Sequence, residues 1–365
     1  MKALSFSRIF FCIFLIVAVC SSVRADVFVP GEPLFVPPKP SFSQVRLLLS
    51  EVRSLVIPKG ALVVGGESTL KPIYEKLLND LEAKSGSNDF SLEDAVKLGG
   101  VFIRLNMHSK SVPVLEKALR QCDENSEWFA PLSFNLAMAY AADDLLLDRS
   151  ITYQRQGLAA LTAPRKNQSF SAWQQQRRLE IIFLKWFQEK LFQRDRKKAF
   201  SIGTLFGNLE EQWQKSDYPV KPVPMAFLDQ LPPDALESTF RLVLAFPMDN
   251  QLYWLFGEML LIQGDPQSAS SVLDELVNAR QMSSSQVLFD HSRKLKRFLE
   301  QSPSKEEIIQ KEQSIPEQGS GKNDSSSAPT SIFMGDLRYL LVGFLSGILV
   351  CYLMQLQIKQ WFGKS

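Results

Sequence analysis

Histidine is nearly absent from this sequence, and cysteine is scarce where it would matter. Only His108 and His291 occur, far apart in the chain. No His/Cys cluster at zinc spacing can be assembled from them. Of the four cysteines, Cys12 and Cys20 lie in an N-terminal apolar run and Cys351 in a C-terminal one. Cys122 stands alone between them, so the body has no internal disulfide and must be stabilised by packing. An excess of charge of one sign is also missing. The formal net charge is +2, which gives no drive toward nucleic acid. Gly65-Gly66 is followed by no Gly-Lys-Ser/Thr, so there is no phosphate loop, and no Gly-x-Ser-x-Gly elbow occurs. No catalytic residue, cofactor or metal site is expected from these motifs. An unmotifed acid–base pair, as in a hydrolase or transferase on a helical fold, is the alternative to a non-enzymatic reading.

What is present starts at the two ends. Lys2 and Arg8 precede an apolar run from Ile9 to Cys20, and Val23-Arg24-Ala25 puts small residues where a signal peptidase reads. Residues 1–25 are therefore predicted to be a signal peptide cut after Ala25. An uncleaved anchor is a second reading. Lipid attachment at Cys20 is a third, disfavoured by Val19 where a small residue is needed. At the other end, Tyr339 to Met354 carries no charge. With its flanks it makes a single transmembrane helix over residues 337–358, close to the ~20 residues a bilayer core requires. Tyr339, Tyr352 and Trp361 suit the interface, and Lys359 and Lys364 place the short tail to Ser365 in the cytoplasm. The predicted body is then periplasmic or otherwise extracytoplasmic. Gly343, Gly347 and Cys351 recur every four residues on one face of this helix, where two backbones can approach and associate weakly as a homodimer.

Two segments are too polar or too rich in proline to be core. Ser302 to Ser331 is dominated by Ser, Glu, Lys, Gln and Pro and reads as a disordered linker. As a coil it spans about 30 Å r.m.s.. Residues 26–42 carry Pro30, Pro33, Pro37, Pro38 and Pro40 and read as an extended arm, lying on the body or free of it.

Between arm and linker, residues 43–301, apolar residues recur at helical spacing. The pattern predicts helices over Ser43–Leu55, Lys71–Ala83, Leu92–Asn106, Lys110–Gln121, Glu127–Ala142, Leu147–Leu161, Ser171–Arg194, Pro233–Phe246, Gln251–Gln263, Pro266–Ala279 and Ser285–Glu300. Phe28–Val36 and Val56–Val64 are the only strand-like stretches, with a hairpin conceivable at Pro58-Lys59-Gly60. Arg165 to Lys198 interleaves basic and aromatic residues. It reads either as a helix lying on an anionic membrane or partner groove, or as a core helix with solvated basic ends.

The helices also compare with one another. Leu98, Gly99 and Phe102 are followed by Leu115 and Ala118. Phe256, Gly257 and Leu260 are followed by Leu273 and Leu276 at the same offsets. Ser111 and Ala269, both small, share another offset. Leu136, Ala137 and Tyr140 form a weaker third match, followed by what reads as an insertion at Asp143 to Arg149. This pattern resembles the tetratricopeptide repeat, a helix–turn–helix unit of about 34 residues. It covers Leu92 to about Leu161 and Ala235 to Leu276, and the two good units are not a whole number of periods apart.

The resemblance implies an all-α solenoid of helix–turn–helix repeats, in which the glycines let paired helices approach. It also implies a concave face that holds a protein or peptide partner. With the C-terminal span, the sequence reads as a membrane-anchored repeat scaffold mediating protein–protein interaction on the non-cytoplasmic side.

Overall fold

In the computed structural model, the described residues are 29–32, 34, 41–57, 69–164, 168–196, 205–207, 231–282 and 285–301. All lie in one compact unit, Met1–Ser302. The signal segment, the linker, the hairpin at Pro58 and the C-terminal span with Gly343, Gly347 and Cys351 lie outside them. Among the described residues no helix is long and apolar enough to cross a membrane.

The described body is all-helical. In chain order the helices are α1 (Phe42–Val56), α2 (Leu70–Lys84), α3 (Leu92–Arg104), α4 (His108–Gln121), α5 (Phe129–Ala141) and α6 (Leu147–Ala160). They continue with α7 (Phe170–Arg196), α8 (Ala235–Ala245), α9 (Asn250–Ile262), α10 (Pro266–Asp274) and α11 (Gln286–Gln301). Each predicted helix is present, with ends shifted by a residue or two where caps rather than periodicity decide. Ser41 and Gln44 close a capping box on α1, and Ser91 and Asp94 close one on α3. Asp249 and Asp265 cap α9 and α10 through their side chains.

The structure departs from the expected elements at two places. The predicted single helix Pro266–Ala279 changes to a π turn over Glu275–Ala279, where Tyr253 and Arg53 both bind the Glu275 carboxylate. The strand-like Phe28–Val36 instead holds a turn at Pro30-Gly31, closed by Glu32 N–H to Val29 O at 2.9 Å.

Helices adjacent in sequence pack on one another, and α3 also packs on α5. Helices α5 and α9 form the centre. Helix α5 carries no charged residue and α9 carries one, and eleven consecutive residues of each are buried. Apolarity on every face suits only a helix surrounded by others. Helix α8 turns back onto α1, so the C-terminal helices close on the N-terminal ones. Arg53 at this seam donates to Glu275 at 2.7 Å and to Pro247 O at 3.2 Å. One apolar core runs from Val29 to Leu295. A small second cluster, Ala130, Phe134 and Leu161, sits under Trp173.

Candidate functional site

The pairs α3–α4 and α9–α10 are built alike. A Cβ on Gly99 would stand 2.3 Å from Leu115 Cδ2, and one on Gly257 2.9 Å from Val272 Cγ1. Both glycines are thus where a side chain would hold the pair apart. Seven residues on, Asn106 and Gly264 both take a positive φ, 59° and 82°. In each pair the following N–H reaches back to the aligned residue of the first helix: Met107 to Phe102 O at 2.8 Å, Asp265 to Leu260 O at 3.0 Å. These are left-handed helix ends of the Schellman kind. The sequence showed this turn at Gly264-Asp265-Pro266 and missed it at Asn106, although asparagine tolerates that conformation.

Helices α5 and α6 pair with a different turn, the 3₁₀ segment Asp144–Leu146. Here Ser150 donates to Ala137 O at 2.8 Å, as Ser111 does to Gly99 O at 2.9 Å, with one more intervening residue. The close approach is at Gly157, where a Cβ would lie 2.4 Å from Phe134 Cε1. Gly157 lies outside the offsets shared by the other two pairs, in which Ala137 holds the glycine's place. Leu98, Phe102, Ala118, Leu136, Ala137, Tyr140, Phe256, Leu260 and Ala269 are all buried.

The turns of two of these pairs, α3–α4 and α5–α6, meet the α8–α9 turn at a cleft of about 300 Å³. Its wall is the α3–α4 turn with Asn106 and His108, the α5–α6 turn with Asp144, and the α8–α9 turn with Pro247, Met248 and Asp249. The middle of α7 supplies Trp186, Phe187 and Lys190. Phe187 meets Phe246 edge-on at 6.0 Å, and both rings line the floor. Met248 is 55% exposed at this wall, an unusual exposure for so apolar a side chain.

The polar groups of the cleft are held differently. Lys190 Nζ lies 3.2 Å from Asp249 Oδ2 and 5.5 Å from the Trp186 ring centre. Asp249 Oδ1 meanwhile accepts from Gln251 N and Leu252 N, so the cap of α9 fixes the carboxylate that fixes the lysine. Burial pushes the His108 imidazole below its ordinary value, favouring the neutral ring. Its Nε2 lies 3.0 Å from Asn106 Oδ1, within hydrogen-bond distance. Nδ1 is buried and makes no hydrogen bond. The cleft thus joins an aromatic floor to a few fixed polar groups, the make-up of a binding pocket. A larger opening of about 530 Å³, between the α4–α5 turn and Leu161–Pro164, has only Phe129 as an aromatic wall.

Residues 170–196 of the basic aromatic segment form α7, and the centre of that helix is core: Leu179, Ile182, Phe183, Trp186 and Phe187 are buried. Buried Gln154 joins α6 to it, donating to Glu180 O and Oε2 at 2.9 and 2.8 Å.

An acid–base pair does exist, Glu258 on α9 and His291 on α11. Glu258 Oε1 accepts from Trp254 Nε1 at 2.8 Å and lies 3.1 Å from His291 Nδ1. The two side chains are 0% and 4% exposed and line neither of these two openings. Among the described residues no group of three or more His, Cys, Asp or Glu could hold a metal ion. Cys122 is half-buried, and burial raises its thiol above the ordinary value, the reverse of a nucleophilic cysteine. No family model, curated protein or solved structure matches this chain.

Proposed function

We infer that the chain is a membrane-tethered scaffold of tetratricopeptide-like helix pairs that holds a protein or peptide on the non-cytoplasmic side of a membrane. The observation that carries this reading is the cleft at the pair turns. Met248 and half-buried Phe246 offer apolar contact above the buried rings of Trp186 and Phe187, while Lys190, Asp249 and Asn106 offer hydrogen bonds at set positions. A peptide side chain with its flanking amides matches that combination. The repeat reading draws support from the like construction of α3–α4 and α9–α10, down to the positive-φ residue seven positions after each glycine. The tether reading rests on the sequence of residues 302–365. Its small-residue face, Gly343, Gly347 and Cys351, supplies weak pairing of two copies. The enzymatic alternative finds no support in Glu258 and His291, which are sealed in the core.

A photo-crosslinking residue tests the cleft. Placed at Met248 in the full-length chain in its native membrane, it should trap one protein or peptide species. The same probe at exposed Leu47 on α1 should not. Identical products at both positions, or none at Met248, overturn the assignment.

A further inference from the structure

Helix α11 buries Leu288, His291, Ser292 and Leu295 along one side. At about 100° per residue, Asp290, Arg293, Lys294 and Arg297 fall together on the opposite side. Arg293, Lys294 and Arg297 are exposed. The one carboxylate among them, Asp290, accepts from Gln286 Nε2 at 2.9 Å. Arg293 also lies over the Phe289 ring at 4.5 Å, which holds its charge against the helix surface. On one flank Lys296 is paired with Asp274. Exposed Glu300, seven residues after Arg293, falls on the same face as that arginine. The outward face therefore carries three cations to two carboxylates, Asp290 and Glu300.

We propose that this face of α11 rests on the anionic headgroups of the membrane to which the chain is tethered. The proposal depends on the tether reading above. Charge is the first reason: each basic side chain brought near an anionic surface strengthens binding by roughly fivefold. Three of them give weak attachment to a membrane met from free solution. Chain continuity is the second. Helix α11 ends at Gln301, and the linker that follows reaches the apolar segment within about 30 Å r.m.s.. Tethering at that range converts a weak contact into one made at millimolar effective concentration. The contact orients the body, which a flexible linker alone leaves free to tumble.

Lysine acylation tests this on the full-length chain in nanodiscs of phosphatidylcholine, alone or with phosphatidylglycerol. Lys294 should react about fivefold more slowly in the anionic discs, with exposed Lys117 on α4 as the unchanged control. High salt should remove the difference, since surface charge is screened. Arg293→Gln with Arg297→Gln should remove it too, leaving Lys294 as reporter. Equal Lys294 reactivity in both discs overturns the proposal and leaves the tether intact. Protection in both disc types alike points to a protein or intramolecular cover instead and also overturns it. A chain that fails to enter discs of either composition overturns the tether reading and this proposal together.

Discussion

Arg104 Nε donates to Glu32 Oε1 at 2.7 Å, with 2% and 4% of the two side chains exposed. The same carboxylate oxygen accepts from Tyr74 OH at 2.6 Å, and Arg104 Nη1 donates to Leu244 O at 3.2 Å. One residue of the proline-rich arm thus ties α2 and α3 together, and through Arg104 reaches the end of α8. Val29 and Leu34 on either side are buried, so this part of the arm lies on the body.

Breaking that pair from one side strands a buried charge. Glu32→Ala should lower stability by about 3–5 kcal/mol, while Glu32→Leu combined with Arg104→Met should recover most of the loss. Denaturant unfolding of the single and double variants measures the difference. Additive losses in the double variant would show that the two residues act separately.

The glycines of the helix pairs give a second test. Gly99→Leu and Gly257→Leu should each cost about 1–3 kcal/mol by forcing a pair apart. Gly157→Ala should do the same between α5 and α6, because the Phe134 ring leaves no room for its Cβ. Melting temperatures unchanged across all three would sink the close-approach account.

His108 makes a pH prediction. Burial depresses its pKa in the folded chain, so unfolding increases its proton affinity. Its contribution is present above the ordinary imidazole value of 6.5 and is lost as pH falls through the lower folded value. Stability should therefore decline from about pH 6.5 downward, and His108→Gln should flatten that slope. With two histidines in the chain, a proton NMR titration resolves His108 directly. A folded value above 6.5 would contradict its placement.

The proposed topology, with the body on the non-cytoplasmic side, makes a prediction of its own. Protease added from the non-cytoplasmic side should digest the body and leave a small C-terminal fragment. A protected body with a tag at Ser365 accessible from that side would reverse the orientation.

Local sequence settled the helices, because their causes are local. Apolar spacing marks α1 to α11, and Ser41, Ser91, Asp249 and Asp265 cap helices within three residues of themselves. Gly99 and Gly257 were legible too, since a small residue in an apolar helix face has few other uses. The aromatic floor was visible only as a basic aromatic segment, with no sign of which residues would face a cleft. Tertiary structure decided that, together with the arm's anchoring at Glu32, the close approach at Gly157 and the sealing of Glu258 against His291. Each depends on a partner from another helix or, for Glu32, a partner 72 positions away. A helix repeats every few residues and writes its period into the chain. A contact between distant residues has no period, and its energy exists only once packing has excluded water from both sides.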